Sequence, residues 1–157
     1  MSKQILILAG DGIGPEIVKA AEQVLARVNE KFNLGLTWEQ GLLGGAAIDA
    51  HGEPYPAVTA AQAEKADAIF MGGSGGHLTD LIDWSMRQLH PAGRLVMTFI
   101  LQENLNTALA HLDHLGVQGV DCLQLQVSSL TALGSGHYFK PNNPVFVIAC
   151  QKEENHG

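Results

Sequence analysis

Two glycine-rich segments are the parts of this sequence whose residue types could support chemistry. The first, Gly10-Asp11-Gly12-Ile13-Gly14, follows an apolar run over residues 5–8, and the second, Gly72-Gly73-Ser74-Gly75-Gly76-His77, follows an apolar run over residues 68–71. Each pattern is typical of a short buried strand that opens into a loop where the backbone can approach a ligand closely. In an open parallel sheet, ligands bind beyond the carboxyl ends of the strands, so both loops lie where a binding site would be.

The first loop has the spacing Gly-x-Gly-x-Gly, with which methyltransferases hold S-adenosylmethionine. It is not the dinucleotide fingerprint, because the third glycine of that motif would fall on Pro15. The negative charges of Asp11 and Glu16 would also repel a phosphate at the start of the helix. Glu39, at the end of a second predicted strand, stands about where an acidic residue would hold ribose hydroxyls. The candidate cofactor-binding residues are therefore Gly10, Gly12, Gly14, Glu39, Gly72, Gly73, Ser74 and Gly75. The alternative interpretation is that the first three glycines only form a strand-to-helix turn.

No catalytic residue is assigned from the sequence. His77 or Asp80 could perform acid–base chemistry on a substrate held by the second loop, but both residue types are also common at helix starts. Thr98 and Glu103 fall near the end of the next predicted strand, and no reaction is assigned to them.

His111 and His114 lie three residues apart on a predicted helix, which is a spacing that can hold a metal ion. No third ligand is placed by the sequence, so a solvated polar helix face is the preferred interpretation, and we predict no metal site. Tyr138 and Lys140 fall in a predicted exposed loop.

The composition fits one globular domain with a sizeable core. The chain has 157 residues, of which 46% are hydrophobic and 16% charged, and the formal net charge of −7 with scattered basic residues argues against a nucleic-acid partner. We find neither an apolar run long enough to span a membrane nor a signal peptide, so we expect a cytoplasmic protein without a membrane partner. Cys122 and Cys150 lie in apolar runs and are interpreted as reduced core cysteines, although they could face each other across neighbouring strands.

Strand and helix patterns alternate along the chain. The predicted strands cover residues 5–8, 36–40, 67–71, 94–99, 120–130 and 145–150, and the predicted helices cover 15–31, 58–65, 78–89 and 102–115. Loops are predicted over 41–57 and 134–144. This alternation predicts an α/β fold, a doubly wound, Rossmann-like three-layer sandwich, in which the last two strands pair antiparallel because no helix separates them. The whole chain, 1–157, is predicted to be a single domain.

The chain resembles two enzyme families. Residues 1–68 resemble the amino-terminal part of 3-isopropylmalate dehydrogenase through ILILAGDGIGPEIV, GGAAIDAHGEPYP and EKADAI. Residues 65–155 resemble the carboxyl-terminal half of the decarboxylating precorrin methyltransferase of cobalamin synthesis. That resemblance rests on KADAIFMGGSGGHL, GRLVMTFILQENL, QLQVSSLTALG and GHYFKPNNPVFVIACQKEEN.

The two resemblances imply an engineered chimera of fragments from two families, joined at a seam near residues 65–76. In both families the strand DAIFMG would lie beside the first strand, which implies the sheet order 2-1-3-4-6-5 with strand 6 antiparallel. Strand 2 would then be an edge, and an uncovered edge invites self-association with another chain.

Three functional hypotheses follow. Each family is represented by a fragment that lacks much of its active site, so the first hypothesis is a chain with no natural catalytic function and no cofactor. The second is residual binding of S-adenosylmethionine or S-adenosylhomocysteine without turnover. The third is an active methyltransferase that acts on a precorrin-like substrate.

Overall fold

The computed structural model describes residues 2–10, 14–73 and 76–153, which form eight strands and five helices. The strands are β1 (Lys3–Leu8), β2 (Leu36–Gly41), β3 (Ala68–Met71), β4 (Arg94–Phe99), β5 (Asp121–Leu125), β6 (Ser128–Leu133), β7 (Gly136–Pro141) and β8 (Val145–Gln151). The helices are α1 (Gly14–Phe32), α2 (Gly45–His51), α3 (Ala57–Lys65), α4 (Leu78–Gln88) and α5 (Gln102–His114).

The main sheet has six strands in the order β2-β1-β3-β4-β8-β5. The first four strands are parallel neighbours, and β8 is antiparallel to both β4 and β5. Strand β8 is the sixth strand of the sequence prediction, so the predicted order and the antiparallel last strand are confirmed. Strands β2 and β5 are the two edges of this sheet.

The hydrophobic core lies between the main sheet and helices α3, α4 and α5. Alternate strand residues face this layer, as Leu6 and Leu8 do in β1, and they pack with α4 and α5 residues such as Ile82 and Leu112. The remaining β1 positions, such as Ile7, face the opposite side, where α1 lies. The sheet is therefore covered by three helices on one face and by α1 on the other.

Two predicted loops contain regular structure. The predicted strand over 120–130 divides into β5 and β6, and β6 pairs with β7 in a separate hairpin where a loop over 134–144 was expected. The chain leaves the main sheet after Leu125, the last residue of β5 paired with β8, and the N–H of Asn142 donates to the carbonyl of Val127 at the base of the hairpin. Gly134, with φ +59°, lies in the hairpin turn, because such turns need positive φ.

Helix α2 occupies part of the predicted loop over 41–57. Its sequence, GAAIDAH, contains three alanines, which have the highest helix propensity, and Ala47 is buried. Gly52 ends the helix in the left-handed conformation, with φ +79°. The glycines that suggested a loop therefore bracket a short helix.

The two cysteines have different surroundings, and both are free thiols. Cys150 is buried in β8, as predicted, and burial raises its pKa to about 11. Cys122 is exposed, so the prediction that it is a core residue is wrong. The reason is that all five residues of the edge strand β5 are exposed.

Across the described residues, we find no helix that is both long enough and apolar enough to cross a membrane.

Candidate functional site

The two glycine loops meet at the carboxyl edge of the main sheet. Strands β1 and β3 are parallel neighbours that end in register, with Leu8 opposite Met71. The N–H of Gly72 donates to the carbonyl of Leu8 at 3.0 Å, which extends the pairing beyond β3. Gly10 has φ +70°, and a β-carbon built on it would lie only 2.6 Å from the carbonyl oxygen of Gly73. The loops are thus in contact backbone to backbone.

Close packing explains why glycine is needed at two further positions of this edge. Gly14, the buried first residue of α1, has no room for a side chain because its β-carbon would overlap the carbonyl oxygen of Ala9. A β-carbon on Gly72 would lie 3.0 Å from Val18 Cγ2 and 3.2 Å from the same carbonyl oxygen. These glycines bring the start of α1 against both loops. This agrees with the alternative interpretation that the glycines of the first loop form a strand-to-helix turn. The loop stays a candidate for binding a ligand.

A cavity of about 200 Å³ adjoins the contact between the loops. Its lining is mainly apolar and includes two polar side chains, Thr98 of β4 and Asn104 of α5. The Thr98 hydroxyl donates to the carbonyl of Gly72 over a long 3.5 Å. Sequence reasoning missed Asn104, although it lies in the first turn of the helix that follows β4. The other lining residues are Ile17, Gly72, Gly73, Phe99, Ile100, Leu101 and Val145.

Glu39 is not brought to this cavity. Strand β2 ends at Gly41, one residue beyond its predicted end, and Glu39 lies opposite Leu6 of the neighbouring strand β1. Its carboxylate accepts hydrogen bonds from Gln4 Nε2 at 2.8 Å and from Gln62 Nε2 at 3.0 Å. Its two oxygens therefore link β2 to β1 and to α3.

The remaining candidates of the second loop are partly described. Gly12, Ser74 and Gly75 lie outside the described residues. His77 precedes α4 directly, but its side chain makes no capping hydrogen bond. Its Nδ1 lies 3.8 Å from Asp80 Oδ2, and both side chains are largely exposed. His77 and Asp80 thus mark the start of the helix, as the alternative interpretation proposed.

The histidines of α5 do not form a solvated face together. His111 Nε2 lies 2.7 Å from Asp83 Oδ1, and the His111 side chain is only 17% exposed because α4 packs against α5. The expectation of a solvated face is therefore wrong for His111. In the parts of the chain that the structure describes, no group of three or more His, Cys, Asp or Glu residues could hold a metal ion. Tyr138 and Lys140 lie in the exposed hairpin strand β7.

Sequence comparison finds relatives of two kinds. The chain is 80% identical over 92 residues to the cobalt-precorrin-6B C(15)-methyltransferase (decarboxylating) of Salmonella typhimurium, which covers 59% of this chain and 48% of the relative. It is 65% identical over 111 residues to the 3-isopropylmalate dehydrogenase of Acinetobacter baylyi, which covers 71% of this chain and 31% of the relative. The chain thus spans about half of the first relative and a third of the second. The predicted mixture of two families is confirmed.

The fold is shared with a solved structure of another protein. The structure of precorrin 8w decarboxylase from Methanobacterium thermoautotrophicum superposes with a TM-score of 0.61 at 21% identity, covering 95% of this chain and 82% of that chain. At this identity the likeness concerns the fold alone, and it agrees with the Rossmann-like sheet described above.

One functional expectation is overturned by these comparisons. We predicted that the chain is not an enzyme, because each family is represented by a fragment. The 80% identity to a methyltransferase over more than half of the chain points to an enzyme, so that prediction is wrong.

The similarity to the dehydrogenases extends beyond the predicted end of their fragment at residue 68. The family model of isocitrate/isopropylmalate dehydrogenases matches residues 4–105, which include β3, α4 and β4. The two alignments must also overlap, since they span 111 and 92 residues of a 157-residue chain. Because the family model matches well over half of the residues of this chain, the chain belongs to the isocitrate/isopropylmalate dehydrogenase family.

Proposed function

We propose that the chain binds S-adenosylmethionine, and its product S-adenosylhomocysteine, at the carboxyl edge of the sheet. The observation that carries this proposal is the backbone contact between Gly10 and Gly73, next to a cavity of about 200 Å³. Methyltransferase relatives of this chain use S-adenosylmethionine as methyl donor. The ligand is larger than the cavity, so we expect the cavity to receive one end of it and the glycine loops to lie along the rest.

The charges at this edge favour this ligand over a dinucleotide. Glu16 lies in the first turn of α1, where its negative charge opposes a phosphate. A sulfonium nucleoside carries no phosphate, so it avoids this repulsion. Within the cavity, Thr98 and Asn104 supply polar groups among apolar neighbours, which is typical of small-molecule sites.

Calorimetric titration with S-adenosylhomocysteine tests this site. We expect saturable binding to the wild-type chain and at least a tenfold loss of affinity in Asn104→Ala, which removes an amide from the cavity. Asn106→Ala is the matched control, since Asn106 is an exposed residue of the same helix that does not line the cavity. Equal affinity in the wild type and Asn104→Ala would contradict the proposed site.

A second candidate function is methyl transfer to a cobalt-precorrin-like substrate, and the 80% identity over 92 residues favours it. We would incubate the protein with S-adenosylmethionine labelled in its methyl group and with cobalt-precorrin-6B. Transfer of the label to the corrinoid is expected. Binding of the cofactor without any transfer of label would exclude this second function and leave the first intact.

We also propose that the chain is an engineered fusion that folds as a single domain, 1–157, with its seam near residues 65–76. The two overlapping alignments support this origin. The stacking of Tyr55 on Trp84, with ring centroids 6.0 Å apart, supports the single domain, because Tyr55 precedes the proposed seam and Trp84 follows it.

The edge strand β2 is the proposed surface for self-association. It lies at one end of the sheet order, and Thr37 is exposed on it. If copies pair through this edge, Thr37→Lys should weaken a dimer at least tenfold in analytical ultracentrifugation, because edge lysines block strand pairing. Thr107→Lys, on the exposed side of α5, serves as control. A wild-type chain that stays monomeric at all concentrations would exclude this surface.

A further inference from the structure

A second cavity, of about 250 Å³, lies between α1 and the main sheet, on the face opposite the hydrophobic core. Strands β1, β3 and β4 form its floor, and α1 forms its roof. The side chains that shape it are Ile5, Ile7, Ala21, Leu25, Phe70 and Val96. It is separate from the cavity beside the glycine loops, with which it shares no lining residue.

The small residues that face each other across this space explain why it is open. Ala21 of α1 and Ala68 of β3 both line the cavity, and neither reaches far into it. Phe70 and Val96 remain half-buried, although they occupy the centre of the sheet. Helix α1 therefore covers the sheet without filling the space beneath it.

The cavity offers little to water. The lining side chains are apolar except for Glu22, and most of them are only half-buried, so the space opens to solvent but gives water few hydrogen-bond partners. The Glu22 carboxylate already accepts a hydrogen bond from Gln40 Nε2 at 2.9 Å. A space with such a lining favours an apolar occupant.

We propose that this cavity binds an uncharged apolar molecule of about two fused aromatic rings. An enclosed protein cavity of about 150 Å³ with an aliphatic and aromatic lining takes up benzene, and this pocket offers the same kind of lining while being open at one side. A cavity of about 250 Å³ has room for a larger ring system. A negatively charged ligand is disfavoured, because it would lose its hydration and approach the Glu22 carboxylate.

Naphthalene is the probe for this site, with binding followed by ligand-observed NMR and by the thermal midpoint. We expect naphthalene to bind and raise the midpoint of the wild type, and naphthalene-1-sulfonate to bind at least tenfold more weakly. Ala21→Leu places a larger side chain in the cavity and should abolish naphthalene binding. Ala26→Leu is the matched control, because Ala26 is an exposed residue of the same helix, and it should bind naphthalene as the wild type does.

Three outcomes would overturn the proposal. The first is a folded wild type that binds no naphthalene, the second is equal affinity in Ala21→Leu and the wild type, and the third is tighter binding of the sulfonate. If Ala21→Leu does not fold, Ala68→Val fills the same cavity from the sheet with a smaller side chain. Its affinity for naphthalene should fall at least threefold, and an unchanged affinity would refute the site.

Discussion

Gly10 and Gly73 lie in two loops that follow neighbouring strands, and a β-carbon on Gly10 would lie 2.6 Å from the Gly73 carbonyl oxygen. This contact brings the loop after β1 against the loop after β3. It leaves no space for a side chain between them, and the cavity with Thr98 and Asn104 adjoins it. The proposed cofactor site depends on this contact.

Gly10→Ala should destabilise the protein more than a glycine replacement at an open position. Gly10 and Gly52 both have positive φ, +70° and +79°, but nothing lies within 4 Å of a β-carbon on Gly52. The unfavourable conformation alone should cost Gly52→Ala about 1–2 kcal/mol. Gly10→Ala should lose about 1–3 kcal/mol more, because its β-carbon meets backbone. Urea unfolding measures both values, and equal losses would show that the loops are not in contact.

Ser85→Ala should leave stability unchanged or increase it. Within the described part of the chain, Ser85 Oγ is a fully buried side-chain oxygen without a hydrogen-bond partner, and such a group costs about 1–3 kcal/mol. Thr59→Val is the informative comparison, since Thr59 is also buried but its hydroxyl donates to the carbonyl of Leu42 at 2.9 Å.

We therefore expect the free energy of unfolding to fall in Thr59→Val and not to fall in Ser85→Ala. Thr59→Val should lose about 1 kcal/mol, because a satisfied hydrogen bond is removed. A clear loss of stability in Ser85→Ala would mean that its hydroxyl has a partner in solution.

Asp67 should stabilise the fold above about pH 4, its ordinary pKa, and lose this effect in acid. The hydrogen bond from Lys3 Nζ, 2.7 Å from Oδ1, lowers the pKa of the Asp67 carboxyl, and the N–H of Gln4, 2.8 Å from Oδ2, lowers it further. A carboxyl with a lowered pKa in the folded state stabilises that state when ionised. Its contribution disappears as the pH falls from the ordinary pKa through the lowered one.

Asp67→Asn should therefore be less stable than the wild type at pH 7, by about 1 kcal/mol, and this difference should shrink as the pH falls below about 4, the ordinary pKa of an aspartate. Denaturant unfolding across this pH range measures the difference. Asp49→Asn, at an exposed position of α2, is the matched control for the removal of one carboxylate. A difference that does not vary with pH would contradict the role of the ionised carboxylate.

The two tryptophans should unfold together if the chain is a single domain. Trp38 lies in β2, before the proposed seam, and Trp84 is buried in α4, after it. We expect the single-tryptophan variants Trp38→Phe and Trp84→Phe each to give a fluorescence transition that coincides with their own circular dichroism transition. A fluorescence midpoint that differs from the circular dichroism midpoint of the same variant would show two units that unfold independently.

The order of the sheet could be predicted because it depends on local patterns and on the resemblance to two families. Apolar runs such as residues 94–99 are long enough to mark a strand, and the helices between them dictate parallel neighbours. The β6–β7 hairpin was missed because Gly134 and Gly136 suggested a loop. In the structure Gly134 lies in a tight turn, and Gly136 begins β7 opposite Leu133.

The site could be predicted only in part. The contact of the glycine loops follows from the carboxyl ends of adjacent strands, which the sequence indicates. Asn104 and the partners of Glu39 depend on distances between elements that are remote in sequence, such as the approach of Gln62 to β2. The cavity beneath α1 depends on how far Ala21 stands from the sheet, and no local pattern records this distance.

Calorimetric titration of the wild-type chain with S-adenosylhomocysteine, and separately with NAD⁺, tests the central claim most directly. Saturable one-to-one binding of S-adenosylhomocysteine with a raised unfolding midpoint, and no binding of NAD⁺, is the predicted result. Binding of NAD⁺ alone, or no binding of either ligand by a cooperatively folded chain, would contradict a methyltransferase-type site at the edge where Gly10 meets Gly73.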